Sequence, residues 1–342
     1  MKKILLILCA LCVLCGGSPA QTKKIVVMEP GAGGCGGLIK ELGALPPQAR
    51  LVTVSRETVM KEIADADAFI GNISPELVRA GRNLKWVQVN SAGVETVLHR
   101  SGSTDLRDSN IILTNNQIVQ GPEIADHAMA MLLYVTRALH FYGRLKQEET
   151  WRGGNFPGIE LSGRTAVVIG VGGIGTQISA RAWAFGMNVI GVDPEDIPFS
   201  PFLKRVVKPD QLDEVVPEAD VVFISAPHTP MSHKMMGPSQ FEKMKKGSYF
   251  IAVSRGGLYD INALVKALDD KRLAGAGVDV TDPEPLPKGH PLWKFDNVMI
   301  TPHIAGRSDK DRARMVGTIR ENIRRFVEGK PLINVVDKQK GY

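Results

Sequence analysis

From residue 24 onwards, short runs of β-branched and other apolar residues alternate with turn residues and helical patterns. This alternation is typical of α/β proteins, in which helices connect the strands of a parallel sheet. In the first part of the chain it predicts strands at 24–28, 51–54, 67–70, 86–89 and 111–114. One parallel sheet is therefore expected before residue 120.

A long helical pattern separates this first set of strands from a second. It begins after Pro122, covers Glu123 to Thr150 without a break, and ends before a Trp-Arg-Gly-Gly stretch. Further strands are predicted at 165–169, 188–192, 221–225, 248–253, 275–279 and 298–301. Six strands with helices between them are typical of a dinucleotide-binding fold. A last helix near 308–328 follows, and we expect it to pack on the first domain.

Length and charge limit the class of protein. The chain has 342 residues, of which 44% are apolar, enough for two cores of about 150 residues each, and this excludes a disordered protein. The 42 basic and 36 acidic side chains give a net charge of +6. They interleave along the chain, as in 308–330, which is typical of solvated helix faces. We therefore expect no nucleic-acid partner.

The N-terminus has the order of a secretory signal. Lys2 and Lys3 precede the apolar run Ile4 to Cys15, and small residues lead to Ala20. We expect cleavage near Ala20 and export to a periplasmic or secreted location; the alternative is a cytoplasmic protein with an N-terminal extension. The apolar run is shorter than the roughly 20 residues that span a bilayer, so no stable membrane insertion is expected. After cleavage only Cys35 remains, which precludes an internal disulfide.

Two glycine-rich loops match the G-x-G-x-x-G pattern. Each follows a predicted strand and precedes a helical pattern, where backbone amides approach a pyrophosphate closely. The first contains Gly31, Gly33 and Gly36, and the second Gly170, Gly172 and Gly175.

The end of the following strand distinguishes the two loops. After the second loop, Asp193 stands about 20 residues on, where a carboxylate accepts hydrogen bonds from the adenosine ribose. After the first loop the corresponding residues are Ser55 and Arg56, which would suit the 2′-phosphate of NADP. We favour the second loop, and Asp193 favours NAD because a carboxylate repels the additional phosphate.

Several motifs occur in one order along the chain. They are Asn90–Glu95, Gly170–Gly175, Ser254–Gly257, Gly277–Val280 with Asp282–Pro287, and Thr301–Gly306. In these motifs the sequence resembles the D-isomer-specific 2-hydroxyacid dehydrogenase family over nearly all of the mature chain. The resemblance implies two Rossmann-like domains with parallel sheets. A NAD-binding domain, 121–306, would be inserted into a discontinuous flavodoxin-like substrate domain of 23–120 and 307–342, after a signal of 1–20.

The resemblance also assigns site residues. Arg255, Glu284 and His303 would be catalytic, and Asp279 would lie beside the nicotinamide carboxamide. Besides Asp279 and His303, the implied cofactor-binding residues are Gly170, Gly172, Gly173, Ile174, Gly175, Asp193, Ala226, Pro227, Val253, Ala305 and Gly306. Besides Arg255, the implied substrate-binding residues are Ala92, Gly93 and Val94.

The catalytic assignment also makes chemical sense. Reduction of a 2-keto acid needs a hydride donor, a cation for the carboxylate and an acid for the keto oxygen. Arg255 offers a planar fork that pairs with a carboxylate, and His303 exchanges protons near neutral pH. Glu284 would orient the imidazole and favour its protonated form. All three follow predicted strands, and sites in open parallel sheets form at the carboxyl ends of strands.

Other positions are less informative. Ala252 stands where the family often has Asn, and Asp126 where Glu is common. We expect the histidines other than His303 to be structural or surface residues: His99, His127, His140, His228, His233 and His290. His127 is among them although it begins the long helix near the domain junction. Because no cluster of side chains has metal-ligand spacing, no metal is expected.

The leading hypothesis is an NAD-dependent oxidoreductase that interconverts a small 2-keto acid, such as glyoxylate or hydroxypyruvate, and its D-2-hydroxy acid. One alternative is a dinucleotide-sensing protein similar to the corepressors that resemble this family, although export argues against it. A short phosphoglycerate dehydrogenase also remains open. The apolar stripe of the long helix would be buried in its own domain or against a second copy, and the family likeness favours a homodimer.

Overall fold

The computed structural model describes residues 22–28, 37–153 and 158–342. The predicted signal and the first glycine loop, with Gly31, Gly33, Gly36 and Cys35, lie outside the described residues.

The first sheet has five parallel strands in the order β2-β1-β3-β4-β5. The strands are β1 (Lys23–Met28), β2 (Ala49–Val54), β3 (Ala68–Ile70), β4 (Trp86–Gln88) and β5 (Ile112–Thr114). The helices between them are α1 (Leu38–Leu42), α2 (Val59–Glu62), α3 (Pro75–Ala80) and α4 (Glu95–Leu98). All five strands predicted from the sequence are present, with ends that differ by one or two residues.

Two helices follow the first sheet, α5 (Gly121–Thr136) and α6 (Leu139–Gln147). The prediction of one unbroken helix was therefore wrong. Ala138 between them has a left-handed φ of 52°. The N–H of Ile159 donates to the carbonyl of Thr136 at 2.9 Å, so the returning chain occupies the acceptor that a continuous helix would bond to its residue 140.

The second sheet has seven parallel strands in the order β12-β11-β10-β9-β6-β7-β8. They are β6 (Thr165–Ile169), β7 (Asn188–Val192), β8 (Arg205–Val207), β9 (Val221–Ile224), β10 (Ser248–Ala252), β11 (Leu273–Val278) and β12 (Val298–Ile300). Helices α7 (Gly173–Ala184), α8 (Leu212–Val215), α9 (Pro238–Lys243) and α10 (Ile261–Asp269) connect them. Chain order reverses beside β6, where open α/β sheets form a crevice at their carboxyl edge.

The seventh strand, β8, was not predicted from the sequence. It is three residues long, pairs with β7 and forms one edge of the sheet. Only two apolar residues, Val206 and Val207, stand between Arg205 and Lys208, so no apolar run marks this strand in the sequence and six strands were expected rather than seven.

Successive residues of the strands enter different cores, as the two-residue period of a strand requires. In β6, Val167 and Ile169 enter one cluster and Ala166 and Val168 another, so helices cover both faces of this sheet. The apolar stripe of α5 is buried against the second of these faces: Ile124, Ala128, Met131, Leu132 and Val135. The chain itself therefore covers this stripe.

The last helix, α11 (Asp311–Val327), packs on the first sheet. Its residues Val316, Ile319 and Ile323 share a core with Ile25 and Val27 of β1. The expectation that it would return to the first domain is confirmed. The predicted domain limits at residues 120 and 306 stay predictions.

Among the described residues, no helix is long and apolar enough to cross a membrane. Within the same residues, no group of three or more His, Cys, Asp or Glu side chains is arranged to hold a metal ion.

Candidate active site

The second glycine loop lies between β6 and α7, and its glycines differ in what surrounds them. A Cβ on Gly175 would lie 1.8 Å from the carbonyl oxygen of Gly170, and a Cβ on Gly170 would lie 2.5 Å from the backbone of Ala226. The fold itself therefore needs both glycines. A Cβ on Gly172 would meet no atom within 4 Å. The missing side chain at Gly172 thus leaves open space beside the backbone amides that begin α7.

Asp193 follows β7 and is almost entirely buried. Its Oδ2 accepts the N–H of Val171 at 2.7 Å and its Oδ1 accepts the N–H of Glu195 at 2.9 Å. The carboxylate is thereby fixed against the glycine loop, and each oxygen keeps acceptor capacity for a ribose hydroxyl. The open backbone at Gly172, the start of α7 and this carboxylate fit a dinucleotide.

The other predicted cofactor-binding residues lie around the same edge of the sheet. Ala226 and Pro227 follow β9, and Ala226 lies against Gly170. Val253 is buried directly after β10, and Gly173 and Ile174 form the first turn of α7. Gly173 lies against Ile118, which precedes α5.

Arg255 is held by a glutamate at the start of α4, next to the first sheet. It follows β10, and its Nε donates to Oε1 of Glu95 at 2.6 Å, while Nη1 donates to the carbonyl of Ser254 at 2.7 Å. Burial raises the pKa of Glu95, but the charge and hydrogen bond of Arg255 outweigh it, so the pKa lies below its usual range. This ion pair joins the start of α4 to the loop after β10 and fixes the guanidinium.

The predicted substrate loop lies directly against this guanidinium. A Cβ on Gly93 would lie 1.9 Å from Nη2 of Arg255 and 2.4 Å from Oε2 of Glu95. The loop is also fixed by Asn115, which follows β5 and whose Nδ2 donates to the carbonyl of Ala92 at 2.6 Å. Val94 is buried at the start of α4. Only glycine at position 93 lets the loop and Arg255 approach this closely.

His303 and Glu284 form a hydrogen-bonded pair. The Nδ1 of His303 lies 3.0 Å from Oε2 of Glu284, and the N–H of Thr281 donates to the other carboxylate oxygen at 3.0 Å. Burial raises the pKa of Glu284, but the bonds from His303 and Thr281 and the charge of Arg255 lower it further, leaving it below its usual range. With Nδ1 bonded to the carboxylate, Nε2 is the nitrogen that can exchange a proton with a bound molecule.

Asp279 holds the loop that carries His303. Its Oδ1 accepts the N–H of Ile304 and its Oδ2 the N–H of Ala305, both at 2.9 Å, while its carbonyl accepts the N–H of His303 at 2.8 Å. Gly306 lies against Gln120, whose Nε2 donates to the glycine carbonyl at 2.9 Å. Both carboxylate oxygens of Asp279 thus fix the backbone after β12.

The loops that carry the predicted catalytic residues touch through their backbones. A Cβ on Gly256 would lie 2.0 Å from the carbonyl carbon of Thr281, so the chain after β10 packs directly on the chain after β11. The hydroxyl of buried Tyr259 donates to the carbonyl of Val280 at 2.7 Å and holds this second loop. These contacts bring Arg255 and Glu284 into one cluster with His303.

Sequence reasoning missed three side chains near this cluster. Glu95 is separated from Arg255 by 160 positions, and only its place in the Asn90–Glu95 motif was noticed. His127 lies 2.9 Å from the hydroxyl of Thr301, which in turn donates to Asp279. From the sequence, His127 was expected only to begin the helix near the domain junction, with no partner indicated.

His228 is the third missed side chain. Its imidazole lies against Gly257, where a Cβ would be 2.5 Å away, and its Nδ1 is 3.4 Å from Nη2 of Arg100. Its Nε2 lies 3.0 Å from Nδ1 of His233. Burial, followed by the charges of Arg100 and His233, lowers the pKa of His228. No pattern in the sequence indicated these contacts, and the one with Arg100 joins residues 128 positions apart.

A fixed guanidinium, a carboxylate-bound imidazole and an open glycine loop therefore lie along one edge of the second sheet. Together they can bind a carboxylate, exchange a proton and hold a dinucleotide.

Comparison with known proteins gives a consistent result. Residues 129–305 match the family described as D-isomer specific 2-hydroxyacid dehydrogenase, NAD binding domain. The chain is 30% identical over 297 residues to the glyoxylate reductase of Korarchaeum cryptofilum, covering 83% of this chain and 87% of that protein. It is 31% identical over 294 residues to the D-3-phosphoglycerate dehydrogenase of Archaeoglobus fulgidus, covering 83% of this chain. The chain spans only 54% of the length of that dehydrogenase.

The fold is similar to that of a crystal structure from Aeromonas salmonicida, described as a D-isomer specific 2-hydroxyacid dehydrogenase family protein. The two share 27% identity with a TM-score of 0.77, over 93% of this chain and 99% of that one.

Proposed function

The chain belongs to the D-isomer-specific 2-hydroxyacid dehydrogenase family, and from this membership we propose that it interconverts a small 2-keto acid and its D-2-hydroxy acid with NAD(H). The observation that carries the proposal is the pair of His303 and Glu284 beside the fixed guanidinium of Arg255. A bound dinucleotide supplies the hydride in reduction and accepts it in oxidation. The similarity to proteins named as a reductase and a dehydrogenase favours turnover over dinucleotide sensing.

Arg255 binds the substrate carboxylate in this proposal. Its contact with Glu95 uses Nε, and the guanidinium edge that carries Nη2 faces the loop of Gly93. A carboxylate bound there would also reach the backbone amides of Gly93 and Val94. Two kinds of donor, one charged and one neutral, orient the acid so that its keto carbon faces the dinucleotide site.

His303 exchanges the proton. In reduction, Nε2 gives a proton to the keto oxygen while the hydride adds to the carbon that bears this oxygen. In oxidation, Nε2 takes the proton back from the hydroxyl. Glu284 holds the imidazole in place through its contact with Nδ1. Because its own pKa is below the usual range, Glu284 is charged throughout the neutral pH range.

Glyoxylate and hydroxypyruvate are the substrates we propose, because the loop of Ala92, Gly93 and Val94 lies close to Arg255 and suits a short acid. NAD is the proposed cofactor rather than NADP, since Asp193 would repel a 2′-phosphate. The test is to mix the purified protein with NADH and a panel of short 2-keto acids and to follow the loss of nicotinamide absorbance. Loss with none of them contradicts the proposal.

We propose export as the location of the protein, supported by Lys2, Lys3, the apolar run Ile4 to Cys15 and the small residues before Ala20. An exported enzyme has to retain its dinucleotide tightly. Recovery of the protein from the export compartment, followed by denaturation and assay of released NAD(H), tests both points. Protein found only in the cytoplasm with an intact N-terminus contradicts export.

We also propose a homodimer. The stripe on α5 is buried within the chain and does not support a dimer, but three large apolar side chains on and just after α6 are exposed: Leu139, Tyr142 and Trp151. Light scattering of the purified protein tests the proposal, and a monomeric mass at micromolar concentration contradicts it.

A further inference from the structure

The segment after α11 is anchored on the first sheet and then crosses to Glu195 in the loop after β7. Val336 is buried in the core of this sheet, and its N–H donates to the carbonyl of Leu113 at 2.8 Å. The Nζ of Lys338 donates to the carbonyls of Leu106 at 3.0 Å and Ile111 at 2.9 Å. Burial lowers the pKa of Lys338. Residues 337–342 are called here the tail, and these contacts fix both the residue before it, Val336, and its second residue, Lys338, on the first sheet.

The tail forms a compact turn. Oδ1 of Asp337 accepts the N–H groups of Gln339 at 2.9 Å and Lys340 at 3.1 Å, and the carbonyl of Asp337 accepts the N–H of Gly341 at 2.8 Å. Gly341 has a φ of 84°, and a Cβ there would lie 2.5 Å from Nε2 of His99. Both the backbone conformation and the contact with the imidazole require glycine.

The last residues of the tail bind Glu195, which lies in the loop after β7 of the second sheet. Nζ of Lys340 lies 2.6 Å from Oε1 of Glu195, and the hydroxyl of Tyr342 donates to the same oxygen at 2.9 Å. Burial, the bond to Glu195 and the charges of Glu195 and Asp193 raise the pKa of Tyr342 to about 12. The N–H of Glu195 in turn bonds to Asp193, so the tail ends beside the carboxylate proposed to hold the ribose.

The lysines near Glu195 are each paired with a carboxylate. Two ammonium groups act on Glu195, those of Lys340 and Lys208. Lys340 is bonded to Glu195, and Lys208 to Asp196 at 2.7 Å. A 2′-phosphate is bound where a cation near the ribose has no carboxylate partner. Neither lysine meets this condition, and the carboxylate that holds Lys340 belongs to Glu195, whose own N–H is bonded to Asp193.

We propose that the tail is part of the nucleotide site and that Glu195 sets the preference for NAD over NADP by keeping Lys340 neutralised. This inference rests on the proposed function. It predicts that loss of the Glu195 charge releases an ammonium group beside the ribose, and that this group then attracts the 2′-phosphate. The effect of Glu195 depends on Lys340, which separates it from simple repulsion by a second carboxylate.

The experiment measures dissociation constants for NADH and NADPH by calorimetry on the full chain and three variants. Glu195→Gln should lower the ratio of the NADPH constant to the NADH constant about tenfold, as expected for a single charge near the surface. Glu195→Gln combined with Lys340→Met should return the ratio to within about twofold of its original value. Asp270→Asn, which removes the acid of the surface pair with Lys266, is the matched control and should leave the ratio unchanged.

The double variant decides the result. A ratio that stays low when Lys340 is also replaced, or that does not change in Glu195→Gln, overturns the inference while the proposed function stands. If the unaltered protein binds neither dinucleotide, the proposed function fails and this inference fails with it. Thermal unfolding of each variant shows that a changed ratio does not come from a loss of folded protein.

Discussion

The Nδ1 of His303 lies 3.0 Å from Oε2 of Glu284, and Thr281 holds the second carboxylate oxygen through its N–H. The imidazole is thus oriented by a carboxylate that is itself fixed by the backbone. Both residues come from loops at the carboxyl edge of the second sheet, where Arg255 also lies.

Replacement of Glu284 by Gln should slow keto-acid reduction. The carboxylate holds the imidazole through Nδ1 and so directs Nε2 towards the bound acid, and a neutral amide holds the ring less firmly. Turnover at neutral pH should therefore fall about tenfold. Steady-state rates in both directions check this. Unchanged turnover in the variant would show that the pair has no role in proton transfer.

Glu95→Gln should change stability in a pH-dependent way. The pKa of Glu95 is lowered in the folded protein, so its ion pair with Arg255 stabilises the fold above the usual carboxyl range, and this contribution is lost as pH falls through the lowered pKa. Urea unfolding should show a deficit of about 1 to 3 kcal/mol at neutral pH for the variant. The deficit should shrink below about pH 4, and a constant deficit would refute the linkage.

Gly93→Ala should disable substrate binding while the dinucleotide still binds. The new Cβ would lie 1.9 Å from Nη2 of Arg255, so the guanidinium or the loop must move. We expect the KM for the keto acid to rise by about 100-fold or more, since small misplacements of a carboxylate clamp are costly. Gly143→Ala, at a position with no neighbour within 4 Å, is the matched control. Equal KM values in the two variants would contradict the assignment of this loop.

Gly172→Ala and Gly175→Ala should separate binding from folding. The Cβ at position 172 meets no protein atom, whereas the Cβ at 175 would lie 1.8 Å from a backbone oxygen. The first variant should keep its unfolding temperature and bind NADH about tenfold or more weakly, because the methyl group occupies the space for the pyrophosphate. The second should be destabilised by about 1 to 3 kcal/mol. Calorimetry and thermal unfolding of both proteins check this, and unimpaired NADH binding by Gly172→Ala would contradict the site.

The strands and the edge that carries the site could be predicted from the sequence. In a parallel sheet, residues that follow different strands meet at one edge, so the positions of Arg255, Glu284 and His303 after three predicted strands already indicated that they lie together. Asp193 directly follows the strand after the second glycine loop, which favoured that loop for the dinucleotide. These signals are local, whereas the choice of Arg255, Glu284 and His303 among the residues at this edge came from the resemblance of the motifs to the family.

The features that were missed depend on contacts between distant parts of the chain. The break at Ala138 arises because Ile159 returns to bond Thr136, and nothing in the helical pattern records that return. Glu95 bonds Arg255 from 160 positions away, and His228 lies beside Arg100 from 128 positions away. The tail likewise reaches Glu195 across 145 positions. Sequence periodicity carries no information on such pairs.

The most direct test of the proposed chemistry compares the unaltered protein with His303→Gln in two measurements, NADH oxidation with short 2-keto acids and NADH binding. We predict measurable turnover of at least one acid by the unaltered protein. The variant should lose about 100-fold or more of that turnover at every pH while it still binds NADH. Equal turnover by both proteins, or no turnover of any acid by the unaltered one, would contradict the account.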